Sequence, residues 1–407
     1  MEYGLLGEKL GHSFSPQIHK ALMDYDYQLY PTPPEKVEEL FRKREFKGLN
    51  VTIPYKQTVI PLCDEADPRA AAIGAVNTVV NRGGKLTGYN TDIDGLIYLA
   101  KRTGVDLTGK KVVILGSGGT SHTAQAAAKE LGAAEIIVVS RSGENNYQNL
   151  DRHRDAGVLI NTSPVGMFPN CGVSPVSLDV FPELTGVLDV VYNPLRTALV
   201  MEAEARHIPC SCGLPMLVAQ AKRAAELFTG EQIPDDRLET VIAALTAQVR
   251  NVVLIGMPGC GKSAVGRALA RRLDKEFVDL DHMITDRAGK PIPEIFAQDG
   301  EEAFRVLESQ VTWEAGARTG CVISTGGGVV TRDENYPPLH QNGVIVHLTR
   351  DLDRLPKDGR PVSQRSDLRE LWAKRKPLYA SFADLTADNN EAIGDTVESI
   401  IKELNAR

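Results

Sequence analysis

Gly256, Gly261, Lys262 and Ser263 stand in the spacing G-x-x-x-x-G-K-S, between the apolar run NVVLI and the helix-forming run AVGRALARRL. Glycines so placed let successive backbone N–H groups turn toward a phosphate, and the following helix adds its positive end. The lysine reaches the outer phosphates, and the serine hydroxyl suits Mg²⁺. Gly259, Cys260, Gly261, Lys262, Ser263 and Ala264 are therefore expected to bind ATP or GTP. In FVDLD, Asp279 and Asp281 lie two residues apart at a strand end, which predicts carboxylates on one side of an extended chain. One would face the hydration shell of Mg²⁺ and the other an acceptor hydroxyl. Arg305, Gly326-Gly327-Gly328, Arg360 within GRP, and Arg375 follow. Arginine grips a carboxylate, glycine lets a ligand approach the backbone, and a mobile arginine can close over ATP. Phosphoryl transfer is the chemistry these residues suit.

A second glycine turn, Gly116-Ser117-Gly118-Gly119-Thr120-Ser121, follows the run KKVVIL and opens a helix, but has no lysine. Its backbone can approach a pyrophosphate, as in dinucleotide-binding units. The next apolar run, EIIVVS, ends at Ser140-Arg141-Ser142. An acid near that point suits the ribose of NAD, whereas an arginine suits the 2′-phosphate of NADP, so NADP is expected. Upstream, Ser13 and Ser15 stand at a helix entrance, where Ser15 also suits a helix cap before Pro16. Asn50, Thr52 and Lys56 surround one short strand and its exit, and Asn77 and Asp92 repeat that strand-end placement.

The elements that must position these groups follow from periodicity. With 407 residues the chain exceeds one ordinary core. Its 42% hydrophobic and 24% charged residues suit globular domains, and a net charge of -7 argues against nucleic acid or anionic membranes and for small-molecule partners. The first residues lack the pattern of a secretory signal, no apolar run nears the ~18 residues of a membrane span, and the six cysteines are scattered, which reads as cytosolic with reduced thiols. From Met1 to about residue 100, the runs YGLLG, GLNVTIP and AVNTVV alternate with amphipathic stretches in a βα pattern. From Lys110 the runs KKVVILG, EIIVVS, GVLINTS and VLDVVY predict a doubly wound parallel sheet. Three helical stretches then lead almost directly into NVVLIG, with further strands expected at EFVDLD, CVISTGG and GVIVHLT.

The segments GHSFSPQIH, NVTIPYK, GAVNTV, YNTD, LGSGGTS, INTSPVGM and GLPMLVAQ occur in that order, and residues 1 to about 248 resemble shikimate dehydrogenases. That resemblance implies that Ser13, Ser15, Thr52, Lys56, Asn77, Asp92, Tyr192 and Gln220 hold shikimate, with Lys56 and Asp92 as the catalytic pair. It further implies NADP contacts from Gly116, Ser117, Gly118, Gly119, Thr120, Arg141, Val190 and Gly213. A lysine held by a carboxylate can relay the proton that a hydroxyl loses as hydride leaves. Two departures stand out: GENN follows Arg141 where the family commonly has a second basic residue, and the short interval from Ser142 to Leu159 predicts a trimmed nucleotide domain.

Residues 251–407 resemble shikimate kinases over their whole length. The resemblance implies that Asp281, Arg305, Gly327 and Arg375 hold shikimate, with Asp281 orienting its attacking hydroxyl. It also implies that Lys262 and Ser263 serve ATP and Mg²⁺, with Asp279 in the outer shell, and that Arg360 belongs to a lid. RPVS stands where RPLL is more usual, and the lid segment is short. The expected architecture is α/β throughout: a substrate domain (1–105 and 213–248), a Rossmann-like NADP domain (106–212), and a P-loop NTPase-type α/β/α kinase domain (250–407). The expected function is bifunctional, reducing 3-dehydroshikimate with NADPH and phosphorylating shikimate with ATP. The alternatives are an NAD-preferring quinate/shikimate dehydrogenase joined to the same kinase, or one half retained as a non-catalytic ligand-binding module.

Overall fold

The computed structural model describes residues 2–11, 13–355 and 368–406. It divides into two compact units, one comprising Met1–Met167, Val173–Tyr192 and Leu199–Leu245, the other Phe168–Gly172, Asn193–Ala198 and Thr246–Arg407. The division falls within the helix Asp235–Val249, and a single residue, Arg250, separates that helix from the strand that begins at Asn251. Among the described residues, no helix is long and apolar enough to cross a membrane.

The first unit contains two sheets. In the first, β1 (Tyr3–Gly7), β2 (Tyr27–Pro31), β3 (Gly48–Val51), β4 (Glu65–Ala66), β5 (Thr78–Arg82) and β6 (Lys85–Tyr89) take the order β2-β1-β3-β5-β6-β4. β5 pairs antiparallel with both β3 and β6, so this part is not a simple βα repeat. Gly83 and Gly84, both at positive φ, make the tight β5–β6 turn that other residues strain to adopt.

The second sheet is wholly parallel: β7 (Lys111–Leu115), β8 (Glu135–Val139), β9 (Val158–Asn161), β10 (Gly186–Asp189) and β11 (Cys210–Ser211), ordered β11-β10-β9-β7-β8. Its strands are apolar without interruption because both faces are covered: Val112 and Ile114 enter one core, Val113 and Leu115 the other. Between β8 and β9 the described chain makes only a short 3₁₀ turn, Leu150–His153, in place of a crossover helix. The strand order reverses at β7, which leaves a crevice at its carboxyl end.

The second unit is built on β12 (Asn251–Ile255), β13 (Glu276–Asp279), β14 (Cys321–Ser324), β15 (Gly343–Thr349) and β16 (Leu385–Asp388), all parallel in the order β13-β14-β12-β15-β16. β12 is buried at every position, and the sheet faces and surrounding helices share one core.

Candidate active sites

Three chain segments converge at one end of the first sheet. Antiparallel pairing sets the exit of β3 beside the entry of β5, where Val51 N–H donates to the Asn77 carbonyl at 2.7 Å. The exit of β6 pairs with the same entry and continues into Asn90, Thr91 and Asp92. Asn77 locks this corner: its Oδ1 accepts from Thr91 N at 2.7 Å, and its Nδ2 donates to Thr91 Oγ1 at 3.1 Å. Tyr27 in turn donates to Asn50 Oδ1 at 2.7 Å, and Asn50 Nδ2 to Thr78 Oγ1 at 3.0 Å. This buried network holds its members in fixed rotamers because each loses a hydrogen bond if it turns away. Thr91 and Tyr27 were not among the expected site residues, although Thr91 directly precedes Asp92.

Asp92 opens the helix Asp92–Thr103, whose positive end favours a carboxylate. Lys56 Nζ donates to Asp92 Oδ2 at 2.6 Å, a charge-assisted bond between two partly buried side chains. Ser13, Ser15, Thr52, Lys56, Asn77, Asp92, Tyr192 and Gln220 all line one cavity of about 260 Å³. Ser15 does not cap its helix: it is the first helical residue, Phe14 holds the cap position, and Ser15 N donates to Ser13 Oγ at 3.2 Å.

Of the residues expected at NADP, Thr120, Val190 and Gly213 border the same cavity. Gly213 lies so close to the Val190 carbonyl that any Cβ would overlap it. Gly116 directly follows β7 at φ 105°, with Ser117 and Gly118 leading into the helix Gly119–Glu130. Arg141 is exposed just beyond β8.

In the second unit, Gly259, Gly261, Lys262, Ser263 and Ala264 line a cavity of about 1070 Å³ together with Asp279, Asp281, Arg305, Gly327 and Arg375. Cys260 does not line it: its side chain is wholly buried, and its carbonyl accepts from Asn389 Nδ2 at 2.7 Å. Lys262 Nζ donates to the carbonyls of Gly256 (2.8 Å) and Met257 (3.1 Å), and Ser263 Oγ lies 3.2 Å from Ser324 Oγ at the end of β14. Arg360 lies outside the described residues, as does the RPVS segment.

Asp279 and Asp281 are not arranged as an extended pair. Asp279 ends β13 and caps the helix Leu280–Ala288, its Oδ1 accepting from Asp281 N at 3.2 Å, while Asp281 occupies the first helical turn. The chain turns helical at Leu280, two residues sooner than an extended EFVDLD implies, yet both residues border the cavity.

Arg305 projects from the helix Gly300–Ala317, buried, and donates to Glu308 Oε2 at 2.6 Å and Glu301 Oε1 at 3.1 Å. Burial pushes the Glu308 carboxyl above its ordinary pKa, although Arg305 beside it pulls the other way. The glycine run passes through a narrow space: a Cβ on Gly326 would lie 2.7 Å from Glu308 Oε1 and 3.2 Å from Asp281 Oδ1, and one on Gly327 would lie 2.6 Å from Pro258. Arg375, on the helix Leu368–Phe382, donates to the Gly327 carbonyl at 3.0 Å. Glu308, Ser324 and Asn389 escaped the sequence reading. The i, i+3 spacing of Arg305 and Glu308 is the one signal that marks any of them.

Comparison with known proteins matches the chain to two families. The shikimate dehydrogenase substrate binding domain family matches residues 5–79, and the shikimate kinase family matches residues 258–405. The NADP(+) shikimate dehydrogenase of Methanopyrus kandleri is 38% identical over 263 residues, spanning 57% of this chain and 91% of that protein. Among solved structures, a chorismate mutase/shikimate 5-dehydrogenase fusion protein from Clostridium acetobutylicum is 33% identical with a TM-score of 0.57, covering 60% of this chain and 96% of that one. The shikimate 5-dehydrogenase of Thermus thermophilus, in complex with NADP(H) and shikimate, is 31% identical with a TM-score of 0.55, covering 60% and 99%. The chain therefore belongs to the shikimate dehydrogenase family and carries, at residues 258–405, a shikimate kinase domain.

Proposed function

We propose that the chain runs two consecutive reactions on one ring acid: NADPH-dependent reduction of 3-dehydroshikimate to shikimate in the first cavity, and ATP-dependent phosphorylation of shikimate to shikimate 3-phosphate in the second. The observation that carries this reading is that each cavity gathers its own charged machinery, Lys56 on Asp92 at 2.6 Å in one, Lys262, Asp281, Arg305 and Arg375 in the other. The substrate is held by residues of 1–105 and 213–248, the dinucleotide by 106–212, and the kinase reaction by 250–407.

In the first site, the Lys56 ammonium donates a proton to the carbonyl oxygen undergoing reduction, and Asp92 holds that ammonium in place by its 2.6 Å hydrogen bond. NADPH supplies the hydride when bound. Ser13, Ser15, Thr52, Asn77, Tyr192 and Gln220 orient the ring by its hydroxyl and carboxylate groups. Exposed Arg141 reads the 2′-phosphate of NADP, which favours NADP over NAD.

In the second site, Arg305 and Arg375 grip the substrate carboxylate, and Asp281 accepts the proton of the attacking hydroxyl. Lys262 leaves its two carbonyl partners for the transferring phosphate. The hard oxygen donors at Ser263 and, through water, Asp279 suit Mg²⁺, which supplies positive charge to the phosphate oxygens when bound. A cytosolic setting belongs to the same proposal, supported by six free thiols.

The test supplies the purified chain with 3-dehydroshikimate, NADPH, ATP and Mg²⁺. Shikimate should accumulate when ATP is omitted, and shikimate 3-phosphate should form when it is present. Failure to make shikimate under either condition, or preference for quinate and NAD, refutes the first half. Failure to consume ATP on added shikimate refutes the second.

A further inference from the structure

Gly327 sits in a tight part of the second site, where a Cβ would lie 2.6 Å from Pro258. Its carbonyl accepts two hydrogen bonds, from Arg375 Nη1 at 3.0 Å and from the Tyr379 hydroxyl at 2.6 Å. Both donors come from the helix Leu368–Phe382, four residues apart and hence on one face. Tyr379 is wholly buried; its ring stacks on His347 of β15 at 4.9 Å between centroids, and its oxygen lies 3.8 Å from Met257 Sδ in the phosphate loop. A ring so confined cannot swing away from the carbonyl.

A planar trans peptide sends its C=O and N–H in opposite directions, so fixing the Gly327 carbonyl also fixes the direction of the Gly328 N–H. Among the described residues no acceptor takes the N–H of Gly327 or Gly328, and both glycines border the cavity. Two untaken donors beside Arg305 and Arg375 suit an anionic oxygen.

We infer that Tyr379 is a positioning residue of the kinase reaction: its hydroxyl sets the Gly327–Gly328 peptide and, through the shared carbonyl, Arg375, so that both meet the carboxylate of the acid acceptor. The hydroxyl makes its short hydrogen bond on the acceptor side of the site and only a weak 3.8 Å contact with Met257 Sδ on the nucleotide side. This inference rests on the kinase reading of the site. ATP-dependent phosphorylation of shikimate by the wild-type chain tests that reading separately.

Tyr379→Phe in the full chain keeps the ring and its stack but removes the hydroxyl. Because Arg375 still satisfies the carbonyl, the loss is that of one neutral hydrogen bond, and KM for shikimate should rise roughly 5- to 10-fold while KM for ATP stays within about twofold. An unchanged KM for shikimate, whatever happens to kcat, overturns the inference. So does a parallel rise in both KM values, which is what a general loosening of the fold produces. If the variant melts near the assay temperature, calorimetric titration with shikimate well below its transition makes the same comparison, and an affinity equal to wild type refutes the role of Tyr379 alone.

Discussion

Glu308→Gln separates what the buried carboxylate does for the fold from what it does for the site. Glu308 is 1% exposed and accepts from Arg305 Nη1 at 2.6 Å, but the cost of burial wins over this partner and its pKa is raised. A carboxyl whose folded pKa lies above its unfolded value contributes stability that is fully present below the unfolded pKa and is lost as pH rises through the folded one. Glutamine mimics the protonated form at every pH. The kinase unit of the variant should therefore unfold at a temperature no lower than wild type at pH 8, with the difference closing as pH falls toward the ordinary glutamate range. The site should suffer instead. A charge-assisted bond to Arg305 becomes a neutral one, a loss of about 1 kcal/mol, so the guanidinium is held less firmly and KM for shikimate rises about fivefold. Paired melting curves by calorimetry across pH and steady-state kinase kinetics measure both effects. A variant markedly less stable at pH 8 refutes the claim that burial outweighs the ion pair. A lowered KM for shikimate means that Glu308 competes with the substrate for Arg305.

Three other substitutions probe Arg305, the cofactor cation and the buried histidine. Glu308→Ala, unlike Gln, leaves Arg305 buried without its closest partner and should destabilise the kinase unit by about 3–5 kcal/mol, read by denaturant unfolding. Arg141→Ala removes the cation proposed for the 2′-phosphate; KM for NADPH should rise on the order of tenfold with that for NADH unchanged, and an equal effect on both would remove Arg141 from cofactor choice. Burial, with Lys262 nearby, pushes the His347 imidazole down to about 4. A lowered folded pKa means the unfolded chain binds the proton first, so kinase-unit stability is full above about 6.5 and falls toward pH 4, by about 3 kcal/mol for this group. His347→Phe should flatten that acid limb, and an unaltered limb would assign it to other groups.

What the sequence made legible followed from repetition and from chemistry concentrated in short runs. The alternate burial of Val112, Val113, Ile114 and Leu115 into two cores is the physical basis for reading KKVVILG as a doubly covered parallel strand. The glycine-lysine-serine spacing likewise specifies a phosphate loop almost without context. The strands that escaped notice, β2, β4, β11 and β16, lie at sheet edges, and β4 and β11 have only two residues each. None of these four carries an unbroken apolar run, unlike β8, an edge strand whose EIIVV does. The positions of Asp279 and Asp281 were misread because helix initiation at Leu280 is decided by the Asp279 cap, which competes locally with strand continuation. Glu308 and Tyr379 were hidden for another reason: each acts on a neighbour, Arg305 or Gly327, and only packing brings those groups together.

If the two active centres on one chain are independent, Lys56→Ala and Lys262→Ala have opposite effects when each variant is assayed for both reactions. Lys56→Ala should abolish reduction of 3-dehydroshikimate while phosphorylation of shikimate proceeds at the wild-type rate, and Lys262→Ala should do the reverse. Loss of both activities from either single substitution, in a chain that remains folded, would mean that the two centres are not independent.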